Sequence, residues 1–250
     1  MKNNRFLTAG AFVMFALVGI GFTQTGEVMN ASPGMFANRR ILAVKYNENK
    51  QTAVNMSGTA LAPRVTGKAE VEFKQGRSRV RLEMESLSNP QTLGGFYTTY
   101  ILWAVAPEGQ TESLLELPVG TNFKIESTTR FQTFGLMITA EPHSRVVLPS
   151  SIIVAENTLR KGTEGAITTS QIAYSGDSGT FYKASPPDSP ATDADYNTPL
   201  MILGARRAVE IARRAEAEIF ANSELSAAAQ KLATLEQAWP RSRKPSDFAQ

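Results

Sequence analysis

Residues 96–106, FYTTYILWAVA, restrict the possible folds more than any other stretch of this chain. Both alternating sets of side chains are apolar: Phe96, Tyr100, Leu102 and Ala104 on one side, Tyr97, Ile101, Trp103 and Val105 on the other. A strand of that kind has to be covered on both faces, which places it in the middle of a sheet. Pro107, Glu108 and Gly109 then turn the chain. Phe134, Leu136, Ile138 and Ala140 give a second strand with one apolar face. Trp103 and its aromatic neighbours read as core packing and not as a ligand platform, because they sit mid-strand.

A hairpin gives the cleanest local pattern. Residues 68–74 alternate, with Ala69, Val71 and Phe73 apolar; residues 77–85 alternate too, with Val80, Leu82 and Met84 apolar. Folding about Gln75 and Gly76 sets Val71 opposite Val80 and Ala69 opposite Leu82. The same register sets Glu72 opposite Arg79, Glu70 opposite Arg81 and Lys68 opposite Glu83. A slip by one residue would send the apolar set into water, so the register is well specified. Arg77, Arg79 and Arg81 then form a neutralised strand face instead of a basic patch.

Further β-prone pieces lie at 41–46, 52–57, 114–117, 123–128, 133–141 and 152–156, with turn signals at 118–120 and 141–142 and no helical pattern between them. Seven to nine short strands with regular turns predict a mainly β fold, an antiparallel, immunoglobulin-like β-sandwich over residues 35–182. Residues 167–174 add an edge strand. Residues 183–198 read as a linker: the stretch 184–199 holds four prolines in sixteen residues.

After the linker the period becomes helical. Thr198 is placed to cap and Pro199 to start a first helix. Ile202, Ala205, Val209, Ala212, Ala215 and Ile219 recur at helical spacing to about Ala221. Asn222 and Ser223 break the run, with Ser223 as the second cap; Leu225, Ala228, Leu232 and Leu235 continue to about Trp239. The prediction is a C-terminal αα-hairpin over 199–239 and a disordered tail over 240–250. Arg206, Arg207, Arg213 and Arg214 interleave with Glu210, Glu216 and Glu218, the pattern of a solvated, salt-bridged face. The apolar stripe of such a hairpin still needs cover, from a partner if nothing in the chain supplies it.

At the other end, Lys2 and Arg5 precede 17 uncharged residues, 6–22. A basic region followed by an apolar one is the pattern of a secretory signal. No Ala-x-Ala follows, and 17 residues also lie at the lower edge of a membrane span. Residues 1–25 are therefore a signal peptide or an uncleaved anchor, the only expected membrane contact. With five residues ahead of that segment, no cytoplasmic domain is expected. Both alternatives export the rest, to the periplasm or outer cell envelope. The chain has 26 basic and 23 acidic residues. Without Lys2 and Arg5 it is within one charge of neutral, which gives no electrostatic case for nucleic acid. The absence of cysteine excludes disulfides, thiolate metal sites, a cysteine nucleophile and a lipid-bearing cysteine.

Reactive chemistry is sparse. The single histidine, His143, follows Pro142 in a turn and reads as structural. Every aspartate lies at or beyond Asp177, so a Ser-His-Asp set would need a glutamate or an acid from the linker. No metal-ligand spacing, calcium loop or phosphate-binding glycine loop occurs. A glutamate pair could hydrolyse glycosides, but Glu70, Glu72, Glu83 and Glu85 fall on the ion-paired outer face. Hydrolysis lost on changing Glu141 or Glu156 would overturn a non-catalytic reading. The expectation is no enzyme, no catalytic, cofactor or metal residues, no cofactor, and a partner-binding set that the sequence does not assign.

The stretches GKAEVEFKQG, YTTYILWAVAPEG, FQTFGLMITAEPHS and LPSSIIVAEN resemble an uncharacterised family of bacterial envelope proteins, and ARRAVEIARRAEAEIFANSELSAAAQKL resembles that family's helical part. Its members carry a leader, this β module and an Ala/Arg/Glu-rich helical segment; longer members end in an OmpA-like, peptidoglycan-binding domain. The present chain departs in having no leader cysteine and in ending after the first hairpin. YILWAVAPEG and LMITAEP bear a weaker likeness to the extracytoplasmic sandwich of anti-sigma-K-type regulators. The export signal, the lack of site chemistry and a hairpin stripe with no obvious partner in the chain give the expectation of a non-catalytic envelope protein that docks through its C-terminal helices on an envelope protein or peptidoglycan. The other reading is an extracytoplasmic ligand-binding sensor module, with a pocket at the end of the sandwich near Gly94, Gly95, Pro142 and His143.

Overall fold

A computed structural model of the protein describes residues 39–120, 122–172 and 195–239. The expected segment 1–25, most of the linker and the tail 240–250 lie outside those residues. Among the described residues the chain forms ten strands: β1 (Arg39–Lys45), β2 (Gln51–Gly58), β3 (Thr66–Lys74), β4 (Arg77–Glu85), β5 (Thr99–Val105), β6 (Thr111–Leu117), β7 (Phe123–Thr129), β8 (Thr133–Glu141), β9 (Ile153–Thr158) and β10 (Ala166–Ile172). They make one nearly closed antiparallel sheet in the order β7-β4-β3-β2-β9-β8-β5-β6; β1 pairs with the start of β8 and carries β10 on its other edge. The path's two ends meet through side chains. Ser127 Oγ donates to the Leu114 carbonyl at 3.0 Å, and Thr129 Oγ1 donates to Glu112 Oε2 at 2.6 Å.

The hairpin register is the predicted one, with Val71 opposite Val80, Glu70 opposite Arg81 and Lys68 opposite Glu83. Gln75 and Gly76 both take positive φ, 52° and 73°, which suits a two-residue turn between twisted strands. The ion pairs differ from the predicted set. Lys68 does reach Glu83, at 3.2 Å, but Arg79 and Arg81 both go to Glu126 of β7, at 3.4 and 3.0 Å. β7 pairs along the other edge of β4, and its charges alternate in step with those of β4.

All seven residues of β5 are buried, between β6 and β8. Tyr100, Leu102 and Ala104 enter the main core with Val54, Val71, Leu82 and Leu136. Ile101, Trp103 and Val105 form a second, smaller core with Ile41, Met137, Val146 and Ile153. Here the prediction for β8 is corrected: eight of its nine residues are buried, on both faces, not on one. β1 and the loop after β8 supply the extra cover. Gly135 permits it, because a Cβ there would stand 2.3 Å from the Leu42 carbonyl oxygen of β1.

The helical region is α1 (Leu200–Arg214), α2 (Ala217–Phe220) and α3 (Asn222–Ala238). Three local expectations shift. Leu200, not Pro199, is the first helical residue, and the Thr198 hydroxyl donates to Asp195 instead of capping. α1 stops at Arg214, ahead of the expected Ala221, with Glu216 left-handed at φ 58°. Neither Ala215 nor Glu216 breaks helices by itself. The return of α3 onto α1, tied by Arg206 Nε to Glu236 Oε1, sets the elbow against local propensity. Ser223 lies inside α3, and its hydroxyl meets the Glu224 carboxylate. No helix among the described residues is long and apolar enough to cross a membrane.

Candidate functional site

Where β8 ends, a polar chain starts in the second core. The Trp103 indole N–H needs an acceptor when buried, and Thr139 Oγ1 provides it at 2.8 Å. The Thr139 hydroxyl in turn donates to Glu141 Oε1. Glu141 has no exposed surface, and its Oε1 also accepts the Ser150 N–H at 2.8 Å. Ser150 Oγ donates to the Ala140 carbonyl at 2.7 Å, so the far end of the loop 142–151 is pinned back to β8. Tyr97 lies close enough to feel the Glu141 charge; burial first, and that charge second, push its phenol up to about 12.

The pinned loop presents His143 and Ser144 to a groove of about 550 Å³. Thr98, Thr99 and Glu116 line the strand side, and Leu200, Met201 and Gly204 of α1 line the helix side. Thr98 Oγ1 donates to the Pro142 carbonyl at 2.7 Å, and Thr99 Oγ1 donates to Glu116 Oε1 at 2.6 Å. His143 Nδ1 accepts the Arg145 backbone N–H at 3.0 Å, which leaves the proton of the neutral ring on Nε2. Partial burial holds the imidazole pKa below its ordinary value, with Arg145 acting the same way and Glu116 opposing.

α1 is seated beside this groove by its own stripe: Ile202, Leu203 and Val209 are buried. The Arg207 guanidinium lies 4.8 Å from the centre of the Phe96 ring and also reaches the Gly95 carbonyl. Gly204 passes next to Thr98; a Cβ there would stand 3.5 Å from Thr98 Oγ1, an ordinary contact. The helix thus finds cover on the chain's own β module. The large apolar groups left exposed in the described helices are Met201 of α1 and Ile219 and Phe220 at the elbow, 50%, 73% and 80% exposed.

The sequence-level candidates separate. Glu156 sits opposite Met137, four residues along β8 from Glu141, and is paired with Arg39 at 2.9 Å. Four residues of strand span about 13 Å, more than the ~5–9.5 Å between paired glycosidase carboxyls. Among the described residues, no group of three or more His, Asp and Glu side chains could hold a metal. A second concavity, about 280 Å³, lies over the outer hairpin face, where Lys68, Arg81 and Lys124 are already paired with Glu83 and Glu126. Glu116 is the groove residue that sequence reasoning missed. It stands on a short half-exposed strand, and the pairing of β6 with β5 and of β5 with β8 brings it near His143. No family model, curated protein or solved structure matches this chain.

Proposed function

We propose that this chain is an exported, non-catalytic binding module of the cell envelope that takes a ligand in the groove between the β5–β6 edge, the His143 turn and α1. The observation that carries the reading is the groove itself. It is concave, about 550 Å³, within the range of small-molecule sites, and mixes apolar walls with a few polar groups. The basic and then uncharged N-terminus supports export. The non-catalytic reading rests on the orientation of His143, whose Nδ1 takes a backbone N–H where a triad histidine would donate to a carboxylate. The wrapped sheet reads as an immunoglobulin-like sandwich, supported by β2, β3, β4, β5 and β8 sending apolar residues into one shared core. A thermal-shift screen of envelope-derived small molecules tests the function, run on the wild type and Gly204→Leu. A compound that raises the midpoint of the first but not the second supports the groove as the site. A screen in which no compound separates the two overturns it.

Docking on an envelope partner through the C-terminal helices is the second reading, favoured by the exposure of Ile219 and Phe220. The membership in an OmpA-related envelope family implied by the sequence resemblance belongs to this reading, with peptidoglycan as the partner. Co-sedimentation with purified peptidoglycan sacculi at low and high salt tests it. Salt-resistant pelleting that Ile219→Ser/Phe220→Ser abolishes supports docking through the elbow, and no pelleting sinks peptidoglycan as the partner.

A further inference from the structure

Within the proposed binding reading, the chemistry of the groove narrows the class of ligand. Among the described residues, Glu116 is the one formally charged group of the lining, and no lysine or arginine lines it. The carboxylate is oriented, because Thr99 fixes Oε1, while Oε2 takes no hydrogen bond among the described residues. His143 faces the same space as a neutral ring near pH 7, so it does not cancel the charge. The positive end of the α1 dipole, which would favour an anion, already has an acid beside it. Asp195 Oδ1 accepts the N–H groups of Asn197 and Thr198 just ahead of the helix. The rest of the lining includes Leu117, Pro118, Val119, Leu200 and Met201, with Met201 half-exposed.

We infer that the groove binds a primary alkylammonium compound, its cationic head on Glu116 Oε2 and its apolar stem along Met201, Leu200 and Pro118. The head gains a charge-assisted hydrogen bond at a half-covered site. The stem gains area removed from water. A carboxylate ligand would meet Glu116 as a like charge with no basic side chain in the lining to offset it.

Backbone amide shifts of the full chain near pH 7.5, titrated with n-hexylammonium, n-hexanol and hexanoate, test this. The expected result is a saturable shift at Thr99, Glu116, His143 and Gly204 with hexylammonium. Hexanol should bind about tenfold more weakly, and hexanoate should give no saturation. Glu116→Gln should bring hexylammonium down to the hexanol level. Gly204→Leu should abolish every shift while keeping the melting midpoint at or above wild type, since it fills the groove and removes a helix glycine. Equal binding of hexanoate, or hexylammonium affinity unchanged in Glu116→Gln, would overturn the ligand class and leave the groove as a site. No saturable shift with any probe would overturn both.

Discussion

On the outer face of β4, Glu83 stands between Lys68 and Lys124; at the end of β8, Glu141 stands under a loop with no exposed surface. Both are glutamates on strands of one wrapped sheet, but β4 alternates between exposed and buried residues while β8 is buried on both faces. Around Glu83, hydrogen bonding by Lys124 and the charge of Lys68 hold the carboxyl below its ordinary value, and water screens all three. Around Glu141, the partners include the Thr139 hydroxyl from its own strand and the Ser150 backbone N–H from the loop. The first arrangement neutralises a surface. The second ties a loop to a strand, and that loop carries the groove's histidine. Charge count does not distinguish them; burial and the nature of the partner do.

Glu141→Ala should therefore have the largest effect. It strips the buried Thr139 hydroxyl and the half-buried Ser150 N–H of their acceptor, and an unsatisfied buried group costs ~1–3 kcal/mol. A loss of about 3 kcal/mol is expected in urea unfolding. Glu141→Gln should lose less than half of that, since its amide oxygen can still accept from Thr139 and Ser150. Equal losses in the two variants would mean that the charge, and not the bonds, holds the loop.

Arg207 joins the two sides of the comparison, being a cation that pairs with Glu210 of its own helix at 2.7 Å and also lies over an aromatic ring. Its place over Phe96 is the kind of contact that contributes ~0.5–1 kcal/mol, more when desolvated. Arg207→Ala should cost about 1 kcal/mol and speed hydrogen exchange in α1 before it does so in β5. Uniform exchange changes across both would show that α1 is not held by this contact.

His143 sharpens the contrast through pH. Its pKa in the folded chain lies below the ordinary value, so the unfolded chain binds the proton more readily. Stability is then unaffected above about pH 6.5 and falls as the pH drops from there through the lowered pKa. His143 is the single histidine, so replacing it removes the imidazole contribution to this window. His143→Asn should flatten the slope of unfolding free energy between about pH 6.5 and 5. An unchanged slope would place the proton uptake elsewhere.

The fold was legible wherever one period dominated. The β3–β4 register followed from Val71, Val80, Ala69 and Leu82 because a slip would have reversed faces. The central place of β5 followed from its two apolar sets. Three features depended on contacts distant in sequence and so were not legible. The outer face of β8 is closed by β1 and by the 142–151 loop, the partners of Arg79 and Arg81 come from β7, and the end of α1 is set by α3. For the site, of the expected pocket residues Gly94, Gly95, Pro142 and His143, only His143 lines the groove. Glu116 and Thr99 meet across the β5–β6 hairpin, whereas the α1 wall comes from a helix about a hundred residues further along the chain, which no local pattern encodes.

The smallest effect is expected on the hairpin face. Glu126 bridges Arg79 and Arg81 at 3.4 and 3.0 Å, and all three side chains are about half exposed. Exposed pairs of this kind contribute little, and salt shortens their reach to ~8–10 Å near physiological strength. Glu126→Gln should leave the urea midpoint unchanged at about 0.15 M salt and lower it slightly at about 0.01 M, where the screening length grows to ~30 Å. A loss that persisted at high salt would mean that this face is shielded from solvent. The contrast with Glu141 would then weaken, because burial would no longer separate the two sets of charges, and the concavity over Lys68, Arg81 and Lys124 would become a competitor to the His143 groove.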